Sequence, residues 1–238
     1  MTTAIILAGG LGTRLRSVLP DLPKPMAPVN GRPFLEHLMD YWIDKGVDTF
    51  ILSVGYKKEV IVDHFGSSYR SVPIRYSVED SPLGTGGALI LATRGLTDPI
   101  IVLNGDTLFE VSLTELASFH KNKSADLSLS LFRTDDQQRF GGVQIDEMGA
   151  LISLSGESLG PQMLANGGAY FMSPELIMNA GYSEFEACSF EKDLIPKFLA
   201  QGRKVFGAPF PGRFIDIGIP SDFMRAGSVL KGNEDRQC

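Results

Sequence analysis

The chain has 238 residues, 43% hydrophobic and 21% charged, with a formal net charge of −6, which is ordinary for a soluble globular protein with a sizeable core. The acidic balance argues against a binder of duplex nucleic acid, while leaving room for a local basic pocket. Cys188 and Cys238 lie far apart without metal-ligand spacing, and no apolar run approaches the roughly twenty residues of a membrane span. Neither a disulfide framework, a zinc site, a signal peptide nor a membrane partner is expected, and a reducing cytoplasm fits.

A strand over Ala4 to Leu7 runs into a glycine-rich turn and a long loop. "PFLEHLMDYWIDKG" then has helical spacing through Leu35, Leu38, Met39 and Trp42 and stops at Gly46. "DTFILSVGY" reads as a strand, "KKEVIVDHFG" as a helix, "IRYSVED" as a strand, "GTGGALILATRG" as a helix and "PIIVLNGD" as a buried strand. This alternation predicts a doubly wound α/β fold whose parallel strands are covered on both faces. From about Glu110 the texture changes: "DLSLSLFR", "GGVQID", "LISLS" and "GGAYFMS" read as strands, with a hairpin around Glu147 to Gly149. "FEKDLIPKFLAQG" reads as a helix, "KVFGAPF" and "FIDIG" as strands, and a last helix begins at Ser221. With no repeat or linker, residues 1–230 are expected to form one domain whose halves, 1–110 and 111–230, share a continuous sheet. The charged tail 231–238 is expected to fray.

"LAGGLGTRL", Leu7 to Leu15, combines three glycines with a lone arginine. A dinucleotide fingerprint would need glycine where Leu15 stands, and a P-loop would need Gly-Lys-Ser/Thr, so both fail. What remains is a glycine-rich loop at the carboxyl end of the first strand, where ligands of open α/β sheets sit. Leu7, Ala8, Gly9, Gly10 and Gly12 would present backbone to phosphate, Thr13 a hydroxyl and Arg14 a cation. The alternative is a tight turn with a surface arginine. Lys24 favours the phosphate reading, because Pro23 and Pro25 stiffen the backbone on either side of it.

Acids mark a second feature. Asp106, after Gly105, ends an apolar strand, and Asp216 sits between apolar residues in "RFIDIGIPSDF"; both suit magnesium, which prefers few carboxylates plus phosphate oxygens. Asp106 capping the next segment is the alternative. Asp222 falls in the first turn of the last helix, where an acid suits the helix dipole, and reads as structural. Glu79 opens "EDSPLGTGGAL", and a carboxylate can accept from the adjacent N1–H and N2–H₂ donors of guanine. Pro82, Leu83, Gly84 and Thr85 form a second glycine-rich turn suited to a flat heterocycle; Glu79 as a mere strand end stays open.

In the second half, Gly142 in "FGGVQID", Asn166 in "NGGAYFM", and Glu191 and Lys192 in "SFEKDLIP" are candidates for a sugar pocket, although the last two also fit a solvated helix start. His37, His64 and His120 fall in helices with no cysteine or serine constellation, and Trp42 and the methionines read as core.

"LAGGLGTRL" followed by "PKPMAPVNGRPFLEH" resembles the signature of the sugar-1-phosphate nucleotidyltransferases, and the resemblance covers nearly the whole chain. It implies a Rossmann-like, GT-A-like three-layer αβα sandwich with a mostly parallel central sheet. It also implies in-line attack of a sugar 1-phosphate on the α-phosphorus of an NTP, giving NDP-sugar and pyrophosphate. By resemblance, the glycine loop holds the triphosphate, Arg14 the leaving pyrophosphate, Lys24 the reacting phosphates, and Asp106 with Asp216 a Mg²⁺ ion. "VEDSPLGTGGAL" is similar to the GTP-using members that act on mannose 1-phosphate or manno-heptose 1-phosphate, and the compact chain most resembles the manno-heptose branch. GTP and a sugar 1-phosphate are the implied partners, and a homodimer is an open expectation. Many members carry Glu-Glu-Lys after the strand read here as "LISLS", with the lysine contacting the sugar phosphate; here Glu157 takes that place. Lys192 or Arg213 would then have to supply the cation. A UTP- or dTTP-using relative and a non-catalytic nucleotide-binding subunit remain alternatives.

Overall fold

The structure, a computed structural model, describes residues 1–10, 12, 15, 19, 21–136, 139–156, 163–183 and 185–231. Thr13, Arg14, Glu157 and the tail from residue 232 lie outside the described residues.

In chain order, β1 (Thr3–Leu7) leads to a 3₁₀ turn (Lys24–Met26), the short strands β2 (Pro28–Val29) and β3 (Arg32–Pro33), and α1 (Phe34–Asp44). Next come β4 (Thr49–Val54), α2 (Lys58–Phe65), β5 (Ser68–Tyr69), β6 (Val72–Val78), α3 (Gly84–Ala92), β7 (Ile100–Asn104), β8 (Thr107–Phe109) and α4 (Leu113–Lys123). The second half adds β9 (Leu127–Thr134), β10 (Gly142–Ile145), β11 (Leu151–Gly156), β12 (Met163–Met172) and α5 (Pro174–Met178). A π-helical turn (Phe190–Leu194) runs into α6 (Ile195–Ala200), followed by β13 (Val205–Pro209), β14 (Phe214–Asp216) and α7 (Pro220–Lys231).

β1 lies parallel between β4 and β7, and β6 lies parallel beyond β4. Antiparallel β12 joins the edge of β7, so the strands of the second half extend the same sheet. Period-two alternation sorts the side chains of these strands into two cores. Ala4, Ile6, Phe50, Leu52, Ile101 and Leu103 pack with α1, α2, α4 and α7, Trp42 among them. Ile5, Ile51, Ile100 and Val102 face the opposite core with α3, α5 and α6. Three layers result, with the sheet in the middle.

The helix read over "FEKDLIPKFLAQG" is not uniform: Leu194 N–H donates to the carbonyl of Ser189, five residues back. Pro196 has no N–H and its ring crowds the carbonyl four residues earlier, so the turn before it widens. The strand read at "GGAYFMS" begins earlier, at Met163, and its pairing with β9 slips between Asn166 and Tyr170. Gly168, at φ +73°, takes the left-handed backbone that this bulge needs.

Candidate active site

The carboxyl ends of the parallel strands share one edge, where Leu7 of β1 stands opposite Asn104 of β7 and Ser53 of β4. A cavity of about 490 Å³ opens there, within the range of small-molecule sites. Leu7, Ala8, Gly9, Gly10, Gly12 and Lys24 form one wall, with Pro25 beside them. Glu79, Pro82, Gly84, Thr85 and Ala88 form another, and Asn104, Gly105, Asp106, Glu191 and Gly218 close it. Most candidates from both motifs are therefore brought together. Pro25, Ala88, Asn104 and Gly218 line the cavity without being ligand candidates from the sequence, although Asn104 and Gly218 flank the two predicted metal ligands. The Oδ1 of Asn104 is buried with no hydrogen-bond partner among the described residues.

The glycines of the wall serve different needs. Gly105 N–H donates to the Leu7 carbonyl at 3.0 Å, and a Cβ there would stand 2.6 Å from that oxygen. At Gly9 a Cβ would run into the Glu79 carboxylate, whereas at Gly10 it would meet nothing within 4 Å. Gly10 thus offers bare backbone to the cavity, and Gly9 makes room for an acid.

Glu79 follows β6. Its Oε1 accepts from the Ser53 hydroxyl at 3.3 Å and its Oε2 from Leu83 N–H at 3.1 Å. Burial pushes its carboxyl above the usual range, and those two donors partly offset the effect. Each oxygen keeps acceptor capacity for a ligand. Leu83 contributes only backbone, because its side chain is buried in the core.

The glycines of "GTGGAL" make way for backbone from the second half of the chain. Gly86 N–H donates to the Cys188 carbonyl at 2.8 Å, and a Cβ at Gly84 or Gly87 would stand 2.6 Å from the Cys188 oxygen or 2.7 Å from the Glu186 oxygen, respectively. They let the segment before the π turn lie against α3. Thr85 consequently meets the second half: its hydroxyl accepts from Phe190 N–H at 2.8 Å and donates to Glu191 Oε2 at 3.0 Å. The other oxygen of Glu191 accepts from the Tyr170 hydroxyl at 3.1 Å, which accepts from the Asn166 side-chain amide at 2.6 Å. Tyr170 is fully buried, and burial, then the charge of Glu191, hold its phenol well above its ordinary value.

Asp106 and Asp216 are brought together by pairing of β8 with β14, where Thr107 stands opposite Asp216. Ile217 N–H donates to the Asp106 carbonyl at 2.9 Å. Lys24 Nζ forms an ion pair with Asp106 Oδ2, and Asp216 Oδ1 accepts from Gly218 N–H. The Asp216 carboxyl is pushed up first by burial and then by the negative charge of Asp106, while Lys24, the Gly218 N–H and Arg139 act the other way. A Cβ at Gly218 would stand 2.7 Å from Asp216 Oδ1 and 3.1 Å from Lys24 Nζ, so this glycine keeps the space between acid and lysine clear. Two mutually repelling carboxylates beside a cleared space form a donor set that fits a hard divalent cation taking its remaining oxygens from phosphate. Among the described residues, no group of three or more His, Cys, Asp or Glu side chains could hold a metal.

Leu83, Gly142, Asn166, Lys192, Arg213 and Asp216 are not among the residues lining the cavity, although Asp216 stands beside it through Gly218 and Asp106. Gly142 is buried in β10, between β11 and β12. Lys192 is exposed on the π turn, with its backbone N–H capped by the Ser189 hydroxyl at 3.1 Å. Arg213 Nε donates to Glu110 at 3.0 Å and Nη1 to the Val229 carbonyl at 3.0 Å; pairing of β8 with β14 sets it beside Glu110, and it fastens that strand pair to α7. Among the described residues, Arg139 is a further cation beside the acidic pair, with its Nη2 3.4 Å from Asp216 Oδ2. His120 does meet a serine, Ser128 Oγ at 3.0 Å, but Ser128 is fully buried and neither residue lines the cavity.

The family described as Nucleotidyl transferase matches residues 3–232. The chain belongs to this family. The nucleotidyl transferase is 41% identical to the D-glycero-alpha-D-manno-heptose 1-phosphate guanylyltransferase of Aneurinibacillus thermoaerophilus, over 96% of its own chain and 98% of that relative. It is 35% identical to the mannose-1-phosphate guanylyltransferase of Mycobacterium tuberculosis, over 95% of its chain but 64% of the relative. The crystal structure of HddC from Yersinia pseudotuberculosis complexed with GMP-PN superposes with a TM-score of 0.84 at 36% identity, covering 96% of this nucleotidyl transferase and 99% of HddC. No helix among the described residues is long and apolar enough to cross a membrane.

Proposed function

We propose that this nucleotidyl transferase moves GMP from GTP to D-glycero-α-D-manno-heptose 1-phosphate, giving GDP-heptose and pyrophosphate for a bacterial surface polysaccharide. The observation that carries the reading is the end-to-end match: 98% of the heptose 1-phosphate guanylyltransferase is covered at 41% identity, against 64% of the mannose-1-phosphate relative.

The residues of the cavity supply a consistent chemistry. Guanine would lie against Glu79, whose carboxylate accepts from N1–H and N2–H₂; uracil and thymine offer a carbonyl, N–H, carbonyl edge instead and leave the acid poorly matched. The backbone of Gly9, Gly10 and Gly12 would carry the triphosphate, with Thr13 and Arg14 on the phosphates that leave. Lys24 would neutralise charge at the α-phosphate as a sugar-phosphate oxygen bonds to phosphorus and the bond to the bridging oxygen breaks, pyrophosphate departing with the electron pair. Such transfer needs two anions aligned and charge neutralised more than covalent help. Asp106 and Asp216 would hold Mg²⁺, which supplies further neutralisation of phosphate oxygens when bound. Glu191, oriented by Thr85 and Tyr170, would accept from sugar hydroxyls, with Asn166 acting through Tyr170. The reaction draws on GTP and is assigned to the cytoplasm.

Incubation with GTP, Mg²⁺ and the manno-heptose 1-phosphate should yield GDP-heptose and pyrophosphate in equal amounts by mass spectrometry and a coupled pyrophosphate assay. GTP binding without any product would overturn the reading in favour of a non-catalytic nucleotide-binding subunit.

A further inference from the structure

Asp222 is only 3% exposed, and a buried carboxylate is costly unless it is paired. Arg139 Nη1 forms an ion pair with its Oδ2, and Arg225 Nε stands 2.8 Å from its Oδ1. Arg139 reaches this place from the connection between β9 and β10, with its guanidinium 4.6 Å from the centroid of the Phe140 ring. One terminal nitrogen is thus held by Asp222 and the group is seated on Phe140. The other, Nη2, faces Asp216, at 3.4 Å from both Oδ2 and the backbone oxygen. Since Asp216 Oδ1 accepts from Gly218 N–H, both oxygens of this carboxylate have a donor, and each keeps acceptor capacity.

We infer that Arg139 is a positioning residue that, anchored by Asp222, sets the carboxylate of Asp216 to receive the divalent cation that accompanies the triphosphate. The inference rests on the reading of Asp216 as a metal ligand. An ion pair this buried is poor evidence of added stability, but the planar arginine fork can hold two acids in fixed relation, as a lysine cannot. Hydrogen-bond partners of metal ligands commonly govern metal affinity by about 10- to 100-fold. Asp222 therefore does more than complement the dipole of α7: it aims the arginine.

The test compares GTP affinity by calorimetry with Mg²⁺ and in EDTA, without sugar phosphate, so that nothing turns over. In the unaltered chain Mg²⁺ should tighten GTP binding. Arg139→Gln should shrink that gain about tenfold or more while leaving affinity in EDTA unchanged, and Arg139→Lys should restore only part of it. Should Arg139→Gln alone not fold, the double variant with Asp222→Asn, which removes the buried charge together with its partner, should show the same loss. A folded variant that keeps the full gain, when Asp216→Asn loses it, overturns the inference and leaves Asp216 as a metal ligand. Asp216→Asn keeping the full gain overturns that reading itself, and the inference with it.

Discussion

Lys24 and Asp106, 82 residues apart in the chain, form an ion pair in which Nζ meets Oδ2 at the wall of the cavity. The lysine therefore neutralises, in the free chain, an acid assigned to a divalent cation. On the proposed reading, metal and ammonium would compete for one carboxylate until a triphosphate offers Lys24 other oxygens, so nucleotide and metal should bind better together than alone.

Lys24→Met is expected to free Asp106 and raise the metal affinity of the nucleotide-free chain by about tenfold or more, as loss of a competing charge-assisted bond of about 1.5–3 kcal/mol would. Turnover should fall by about 100-fold or more. Calorimetric Mg²⁺ titration and pyrophosphate release check the two halves; an unchanged metal affinity would show that the pair does not compete.

Glu79 gives opposite pH trends for stability and for binding. Its carboxyl is raised by burial, so the folded chain holds this proton more tightly than the unfolded one. Its contribution to stability is full below about pH 4.5 and is lost as pH rises through the folded value. If guanine is read by Glu79 as proposed, it needs the ionised acid, so GTP affinity should weaken as pH falls through that same raised value. Glu79→Gln should flatten the acidic limb of the GTP binding profile and narrow the preference over UTP by about 1–3 kcal/mol. Titrations of GTP and UTP across pH read both; an unaltered preference would remove Glu79 from base selection.

Gly84 and Gly10 separate packing from ligand access. At Gly84, with φ +69°, a Cβ would stand 2.6 Å from the Cys188 carbonyl oxygen, and Gly84→Ala should cost about 1–3 kcal/mol of stability. At Gly10 a Cβ meets nothing, so Gly10→Ala should leave thermal unfolding unchanged and weaken GTP binding. Equal melting temperatures for the two variants would contradict the distinction.

Tyr170→Phe should leave the Asn166 amide and Glu191 Oε1 without their shared hydroxyl. Loosened Glu191 would raise KM for the sugar 1-phosphate by about tenfold, within the about 1–3 kcal/mol of a lost buried hydrogen bond, and leave KM for GTP unchanged. Paired KM measurements decide; a rise for GTP alone would place the network on the nucleotide side.

What the sequence made legible was whatever is local. β1 and β7 are apolar runs ending in glycine-rich or acidic motifs, so the placement of Gly9 and Asp106 at one sheet edge follows from the strand ends, whereas Lys24 is reached only through its flanking prolines and the family resemblance. At "GTGG" glycine signals a close approach without saying what approaches, and in the fold the Cys188 and Glu186 carbonyls do. The sequence points to Lys192 or Arg213 and not to Arg139, because only the folded chain decides which arginine meets which acid. Strand pairing gives Arg213 to Glu110, while Arg139 crosses 77 residues of sequence to reach Asp216. From sequence Asp222 reads as a routine acid at a helix start, since burial cannot be read from its neighbours.

The most direct test of the assigned activity is kcat/KM from pyrophosphate release with Mg²⁺, crossing GTP, UTP, dTTP, CTP and ATP with manno-heptose 1-phosphate, mannose 1-phosphate and glucose 1-phosphate. Turnover should be concentrated in the pair of GTP with the manno-heptose substrate. Preference for another nucleotide would contradict the role of Glu79, and preference for mannose 1-phosphate would contradict the substrate drawn from the end-to-end match.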